Sequence, residues 1–138
     1  MAVVNEKFLI NTRGFTDIID ITQKLKSIVY NHNIKDGTVV VALAGSTASI
    51  TTVEYEPGLI KDLPDILDEI APVNRTYHHD DTWHDGNGYA HIRAALIGSS
   101  ATIPLIDGAL LLGTWQQIVL IDFDNKPRAR NIHVQIIY

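Results

Sequence analysis

The chain contains no cysteine. That excludes a disulfide framework and any thiolate metal centre, and leaves His, Asp and Glu as the side chains able to ligate a transition metal. Cations are also in the minority, with 11 Lys and Arg against 16 Asp and Glu and a formal net charge of −5. A nucleic-acid groove needs clustered Lys and Arg to neutralise phosphates, so no nucleic-acid partner is expected. No apolar run reaches membrane-spanning length, and Glu6 and Lys7 arrive too soon for the apolar core of a signal peptide. The expectation is a cytoplasmic protein with no membrane partner. Internal repeats, low-complexity tracts and linkers are missing as well.

What is present is an ordinary globular balance. With 138 residues, 46% of them hydrophobic and 20% charged, the chain can bury one core and reads as a single domain over 1–138. Lys7 to Thr12 alternates as a strand, and Thr16 is placed to cap a helix carrying Ile18, Ile21, Leu25, Ile28 and Val29. The β-branched run from Thr38 to Val41 predicts a strand buried on both faces. Gly45-Ser46-Thr47-Ala48 interrupts the pattern before a strand from Ser49 to Val53, ending at Glu54. Pro57-Gly58 reads as a turn, and Pro64 as the first turn of an acidic helix reaching Ile70. After a histidine-rich loop, a short helix from Ala90 to Ile97 is closed by Gly98 as a left-handed cap. Strands then follow over Ala101–Ile106, Ala109–Leu112, Gln117–Phe123 and Arg128–Tyr138, separated by Asp107-Gly108 and Asp124-Asn125 turns. Short turns between consecutive strands, with helices only in the first two thirds, predict an α+β domain: mostly antiparallel sheet with two or three helices.

The densest chemistry lies between Tyr77 and His91, where fifteen residues hold four of the six histidines and three aspartates. His79 and His84 are five positions apart, and His91 lies seven further on, beyond a Gly86-Asn87-Gly88 break that should turn the chain back. Three rings converging from two arms of a loop would make a metal site. The same residues on a polar loop would merely cap turns and form hydrogen bonds, and spacing alone leaves both readings open.

The string Ser46-Thr47-Ala48-Ser49-Ile50-Thr51 with Glu54, the loop around His79 and His91, Ser99-Ser100, and Leu112-Gly113-Thr114-Trp115-Gln116 together resemble the YjbQ-like family, nearly end to end. The activity named for that family is a secondary thiamine-phosphate synthase. The resemblance implies an α+β fold rich in antiparallel strands, a homotrimer, and the joining of a pyrimidine diphosphate to a thiazole phosphate with release of diphosphate. His79 and His91 match family histidines. Many members carry a further His just before the Ser/Thr string, where Gly45 stands here, and His84 is expected to restore the count. The expected metal set is therefore His79, His84 and His91 around zinc or magnesium.

Around that centre, Asp80, Asp81 or Asp85 would hold the second nitrogen of a ligating imidazole, or else cap the following turns. Glu54 and Asp81 are the candidate catalytic carboxylates, with a solvent-facing strand end as the bland alternative for Glu54. Ser46, Thr47 and Ser49, with Ser99 and Ser100, are expected to line anion-binding concavities. Arg93 and Gln116 are further candidates for contact with a phosphorylated substrate, an ion pair with an acidic neighbour being the alternative for Arg93; Trp115 could stack on a substrate ring but is expected first in a core or subunit interface. Arg128 and Arg130 follow Pro127 at a spacing that faces both side chains the same way, which makes them weaker candidates for contact with a phosphate. The leading expectation is a metal-assisted enzyme acting on small phosphorylated metabolites. The alternatives are a metal-dependent phosphate ester hydrolase and a non-catalytic trimeric protein that binds a metal or metabolite.

Overall fold

Alternating apolar residues sort the chain into eight strands and four helices, described for residues 1–138 by a computed structural model. One antiparallel sheet holds, in spatial order, β1 (Val3–Thr12), β8 (Arg128–Ile137), β3 (Gly37–Leu43), β5 (Ser100–Ile106) and β6 (Ala109–Leu110). A second holds β2 (Asp17–Asp20), β7 (Gln117–Asp122) and β4 (Ala48–Val53), also antiparallel. The helices are α1 (Thr22–His32), α2 (Pro57–Ile70), α3 (His78–Trp83) and α4 (Gly88–Ile97). The α+β class with predominantly antiparallel sheet is as expected, with one helix more.

The layers follow from which face of each strand is apolar. Val39, Val41, Ile103, Ile132, Val134 and Ile136 of the large sheet meet Ile50, Ile118 and Leu120 of the small one, with Leu25 and Val29 of α1 joining the same core. From the opposite face of β7, Val119 and Ile121 pack with Ile18 and Phe123 against Leu67 of α2 and Tyr89, Ala90 and Ala94 of α4. The small sheet is therefore a middle layer. Consequently β7, rather than β3, is the strand buried on both faces: β3 alternates between buried and half-buried residues because the outer face of its sheet has no helix over it.

Three boundaries depart from the sequence expectation. Ile18 belongs to β2, paired with Ile121, and not to a helix. Thr16 has a positive φ of 65° and caps nothing, while Asp20 accepts the Thr22 N–H at 2.9 Å to start α1. The apolar spacing of Ile18 and Ile21 suits either element, and pairing with the middle strand decides. Pro57 is not in a free turn but at the first position of a 14-residue α2, whose Glu56 carboxylate accepts the N–H groups of Gly58 and Leu59. Pro64 then sits inside the helix. Finally, α4 begins at Gly88, and Gly98 has φ 95° with an extended ψ of 166°, a positive-φ stop unlike the left-handed cap expected.

The two sheets are joined at one end by a buried polar clamp. Asp122 and Asp124 are both 0% exposed. Arg130 donates to both oxygens of Asp122, from Nε at 2.7 Å and Nη2 at 2.9 Å, and from Nη2 to the Thr47 hydroxyl at 2.8 Å. Thr47 donates to Asp124 at 2.9 Å, Arg128 Nε to Asp124 at 3.0 Å, and Thr12 to Asp122 at 2.7 Å. β1 and β8 of the large sheet are thus tied to β7 and to the residue preceding β4 in the small one. Burial pushes the Asp124 carboxyl upward, but hydrogen bonds from Thr47 and Arg128 and the Arg128 charge hold it below its ordinary value.

Removing the cation from such a pair leaves a carboxylate buried and uncompensated, so Arg130→Met is expected to lower stability by about 3–5 kcal/mol in denaturant unfolding. Because the folded Asp124 ionises more readily than the unfolded one, its contribution is present above the ordinary carboxylate range and lost as pH falls through the lower folded value. Asp124→Asn should therefore flatten the fall of stability below about pH 4, measured as unfolding midpoint against pH.

Candidate functional site

The histidine-rich segment is not a loop with two arms but two helices set against each other. Tyr77 leads into α3 and closes on Pro72 through a 2.7 Å hydrogen bond from its hydroxyl. Gly88 packs so tightly on Tyr77 that an added Cβ would lie 2.5 Å from the Tyr77 Cβ. Asp80 on α3 accepts the Gly88 N–H at 3.0 Å, and Asp85 accepts that of Asn87 at 3.1 Å. The Asp124-Asn125 turn holds the same segment, since Asn125 donates to the Asp85 carbonyl at 2.7 Å and to the Asn87 side chain at 3.1 Å. The two aspartates do act as turn caps, and in doing so aim their carboxylates at His79.

His79 on α3 and His91 on α4 lie with ring centroids 4.2 Å apart, at 43°. Ligand atoms of His79, Asp80 and Asp85 fall within 4.8 Å of one another. The Nε2 of His79 is buried without a hydrogen bond, its nearest carboxylate oxygen being Asp85 Oδ1 at 3.5 Å. The Asp124 Oδ1 is buried and unpartnered too. A buried imidazole nitrogen whose nearest carboxylate oxygen stands off at 3.5 Å, with a second carboxylate and a second imidazole beside it, is a donor set that fits a divalent cation. Burial and then the neighbouring His79 lower the His91 pKa, which favours the neutral ring that ligation requires. Burial raises the Asp85 carboxyl, yet the Asn87 N–H and then the charge and long hydrogen-bonding contact of His79 outweigh it and hold Asp85 below its ordinary value.

Of the expected trio, His79 and His91 come together and His84 does not. His84 caps α3 in left-handed conformation, φ 52° and ψ 32°, exposed and outside the His79–Asp80–Asp85 group. The left-handed backbone that ends α3 at His84 turns its side chain off the His79 face, and Asp85 comes to the group instead. Asp81 is 71% exposed and lies 3.6 Å from His78 on the outer face of α3. It turns away from His79.

The anion candidates divide similarly. Gly45, Ser46, Gly98 and Ser99 line one cavity of about 480 Å³ together with His91, so two of the predicted serines share a cavity with that histidine. Ser100 is exposed at the start of β5. Thr47 and Ser49 are buried and engaged, Thr47 in the clamp and Ser49 with the Ala94 carbonyl at 3.3 Å. Arg93 is 3% exposed and fully used, donating to the Ala71 carbonyl, to Asp68 at 2.7 Å and to Thr16 at 2.9 Å. It braces α4 against the end of α2 and is withdrawn from any phosphate. Glu54 and Gln116 line a separate cleft with Thr52, Val53 and Trp115. There Gln116 bonds Thr52 and Gly113, and Trp115 is 70% exposed, so it is not core. Sequence reading passed over Asp124, although its place two residues after Asp122 and before the Arg128/Arg130 pair was a usable signal.

Residues 6–138 match the family model described as UPF0047 protein YjbQ-like. A UPF0047 protein of Methanothermobacter thermautotrophicus is 34% identical over 136 residues, covering 99% of this chain and 93% of that protein. A crystal structure from Sulfolobus solfataricus, described as a YbjQ-like protein of unknown function, superposes with a TM-score of 0.92 at 32% identity, covering 98% of this chain and 96% of the other. A Clostridium acetobutylicum structure, described as an uncharacterized conserved protein of the yjbq/upf0047 family, gives 0.87 at 38% identity, covering 96% and 99%.

A buried nitrogen lacking a partner destabilises a fold that does not use it. His79→Phe is therefore expected to raise the denaturant midpoint of chelator-treated protein, by about 1 kcal/mol in stability, and a fall instead would show that His79 is satisfied without a ligand.

Proposed function

The chain belongs to the UPF0047 YjbQ-like family, and from that premise we propose that it is a metal-assisted enzyme acting on small phosphorylated metabolites. The observation that carries the reading is the buried Nε2 of His79, held 3.5 Å from Asp85 and beside His91, whose own ring lines a cavity with Ser46 and Ser99. His79, Asp80 and Asp85, with His91 alongside, would hold a divalent cation, zinc or magnesium. Such an ion supplies charge that offsets what develops on a departing phosphate oxygen. The residues of the chain do the rest. Asp80 and Asp85 orient the site through the N–H groups they already hold. A neutral His91 can give its one lone pair to the ion, while Ser46 and Ser99 supply hydroxyl donors to phosphoryl oxygens.

The specific reaction in this reading is thiamine-phosphate synthesis, possible as a secondary activity: the thiazole nitrogen bonds to the pyrimidine methylene carbon as the carbon–oxygen bond breaks and diphosphate leaves with the electron pair. Trp115, open to solvent, presents a ring face on which an aromatic heterocycle can stack, with the Glu54 carboxylate and Gln116 amide in the same cleft. That cleft lies at the far end of β4 from the Ser46–Thr47 turn, about 20 Å away at strand rise. Glu54 can therefore serve the histidine site only from a neighbouring copy, as a homotrimer would allow. Exposed Ile92 and Leu96 on α4, at 46% and 61%, support burial against another subunit. No helix is long and apolar enough to cross a membrane, and a cytoplasmic location is part of the same reading.

Metal analysis of purified variants, paired with diphosphate release from the two substrates, tests it. His79→Ala and His91→Ala should lose both metal and turnover, and His84→Ala should keep both. Folded His79→Ala and His91→Ala proteins that retain metal and full turnover would end this reading.

A further inference from the structure

We propose that Arg130 is an anion receptor, its Nη1 edge laid open by the missing side chain at Gly45 to take an oxygen of a phosphoryl group. The proposal deepens the reading of phosphorylated ligands and depends on it only for the ligand class. Arg130 uses Nε and Nη2 on Asp122 and Thr47. Its Nη1 donates to nothing in the protein, yet it is not among the buried polar atoms left unpartnered, so solvent reaches it. The side chain as a whole is only 13% exposed. The open part is thus one edge of a planar, permanently charged fork whose other edge is fixed by a buried carboxylate, an arrangement that needs little ordering before it binds an oxyanion.

Gly45 explains the access. Its φ is not positive, so the backbone there does not demand glycine. An added Cβ would instead lie 3.3 Å from Arg130 Nη1 and 3.0 Å from Leu43 Cδ1, filling the approach to the guanidinium. Two cavities flank this point. Gly45 lines the 480 Å³ cavity that holds His91, Ser46 and Ser99, and the preceding Ala44 lines a 180 Å³ cavity with Arg130 and His133. A phosphoryl group seated at the Ala44–Gly45 backbone has Arg130 on one side and the serine-lined wall on the other. Arg93, the first candidate from spacing, is sealed in, whereas Arg130 keeps one donor free beside Gly45.

Titration of chelator-treated protein with inorganic phosphate and with diphosphate, followed by calorimetry and by NMR of arginine side chains, tests the proposal. Saturable binding is expected in the metal-free protein, with the Arg130 resonances shifting. Gly45→Leu, a change at an exposed position, should keep the fold and weaken binding about tenfold or more. Arg130→Lys should weaken it as well, and because that variant loosens the clamp, Gly45→Leu is the deciding one. His79→Ala should leave binding to the metal-free protein unchanged. Equal affinity in Gly45→Leu and wild type, or binding that vanishes on chelation or in metal-free His79→Ala, would overturn the proposal. The metal reading fails on different evidence, namely retention of metal and turnover without the two histidines.

Discussion

Everything in this molecule that resembles a site is built on the buried Asp122–Arg130 pair and the Asp124–Arg128 pair beside it. These groups sit where two antiparallel sheets converge: Asp122 of the small sheet accepts from Thr12 and Arg130 of the large one, and Asp124 accepts through one oxygen from Thr47 and Arg128. A charge withdrawn from water so completely has only one acceptable arrangement of partners. That requirement sets the ends of β1, β4, β7 and β8 relative to one another and places the Asp124-Asn125 turn against the segment from Asp85 to Asn87.

From that turn the constraint passes to the histidines. Asn125 holds the α3–α4 connection, Gly88 lets α4 start in contact with Tyr77, and Arg93 pins α4 to the end of α2. His79 and His91 are then left facing each other with little freedom to move apart. An unpartnered imidazole nitrogen in such a rigid frame is a polar group the fold alone has no reason to bury. The same rigidity leaves Arg130 with one spare donor beside a residue that has no side chain. Two half-buried features with unmet bonding capacity, on either side of the Ser46 turn, suit a ligand that combines a metal-seeking and an anionic group.

Much of the fold was legible beforehand. The strands from Ala101 onward, the Asp107-Gly108 turn and the β4 strand could be read because alternation and turn chemistry are local. What misled was apolar spacing compatible with two elements: Ile18 and Ile21 fit a helix stripe, but pairing with Ile121 puts Ile18 in a strand. Likewise Val39, Val40 and Val41 have the composition of a doubly buried strand, and only the absence of a covering helix leaves Val40 half-exposed.

The site divides along the same line. Residue types by themselves determined that any transition metal must be held by imidazole and carboxylate, that the segment from Tyr77 to His91 concentrates those groups, and that the chain belongs with its YjbQ-like relatives. Tertiary packing decided which of the groups meet. It chose Asp85 over His84, since the left-handed backbone that ends α3 turns the latter outward. It withdrew Thr47, Ser49 and Arg93 into the interior and left Arg130 with a free edge. Chemical capacity is a property of side chains and can be read along a sequence, whereas convergence depends on the rotation of helices and on what each burial leaves unpaired, which exist only once the layers are assembled.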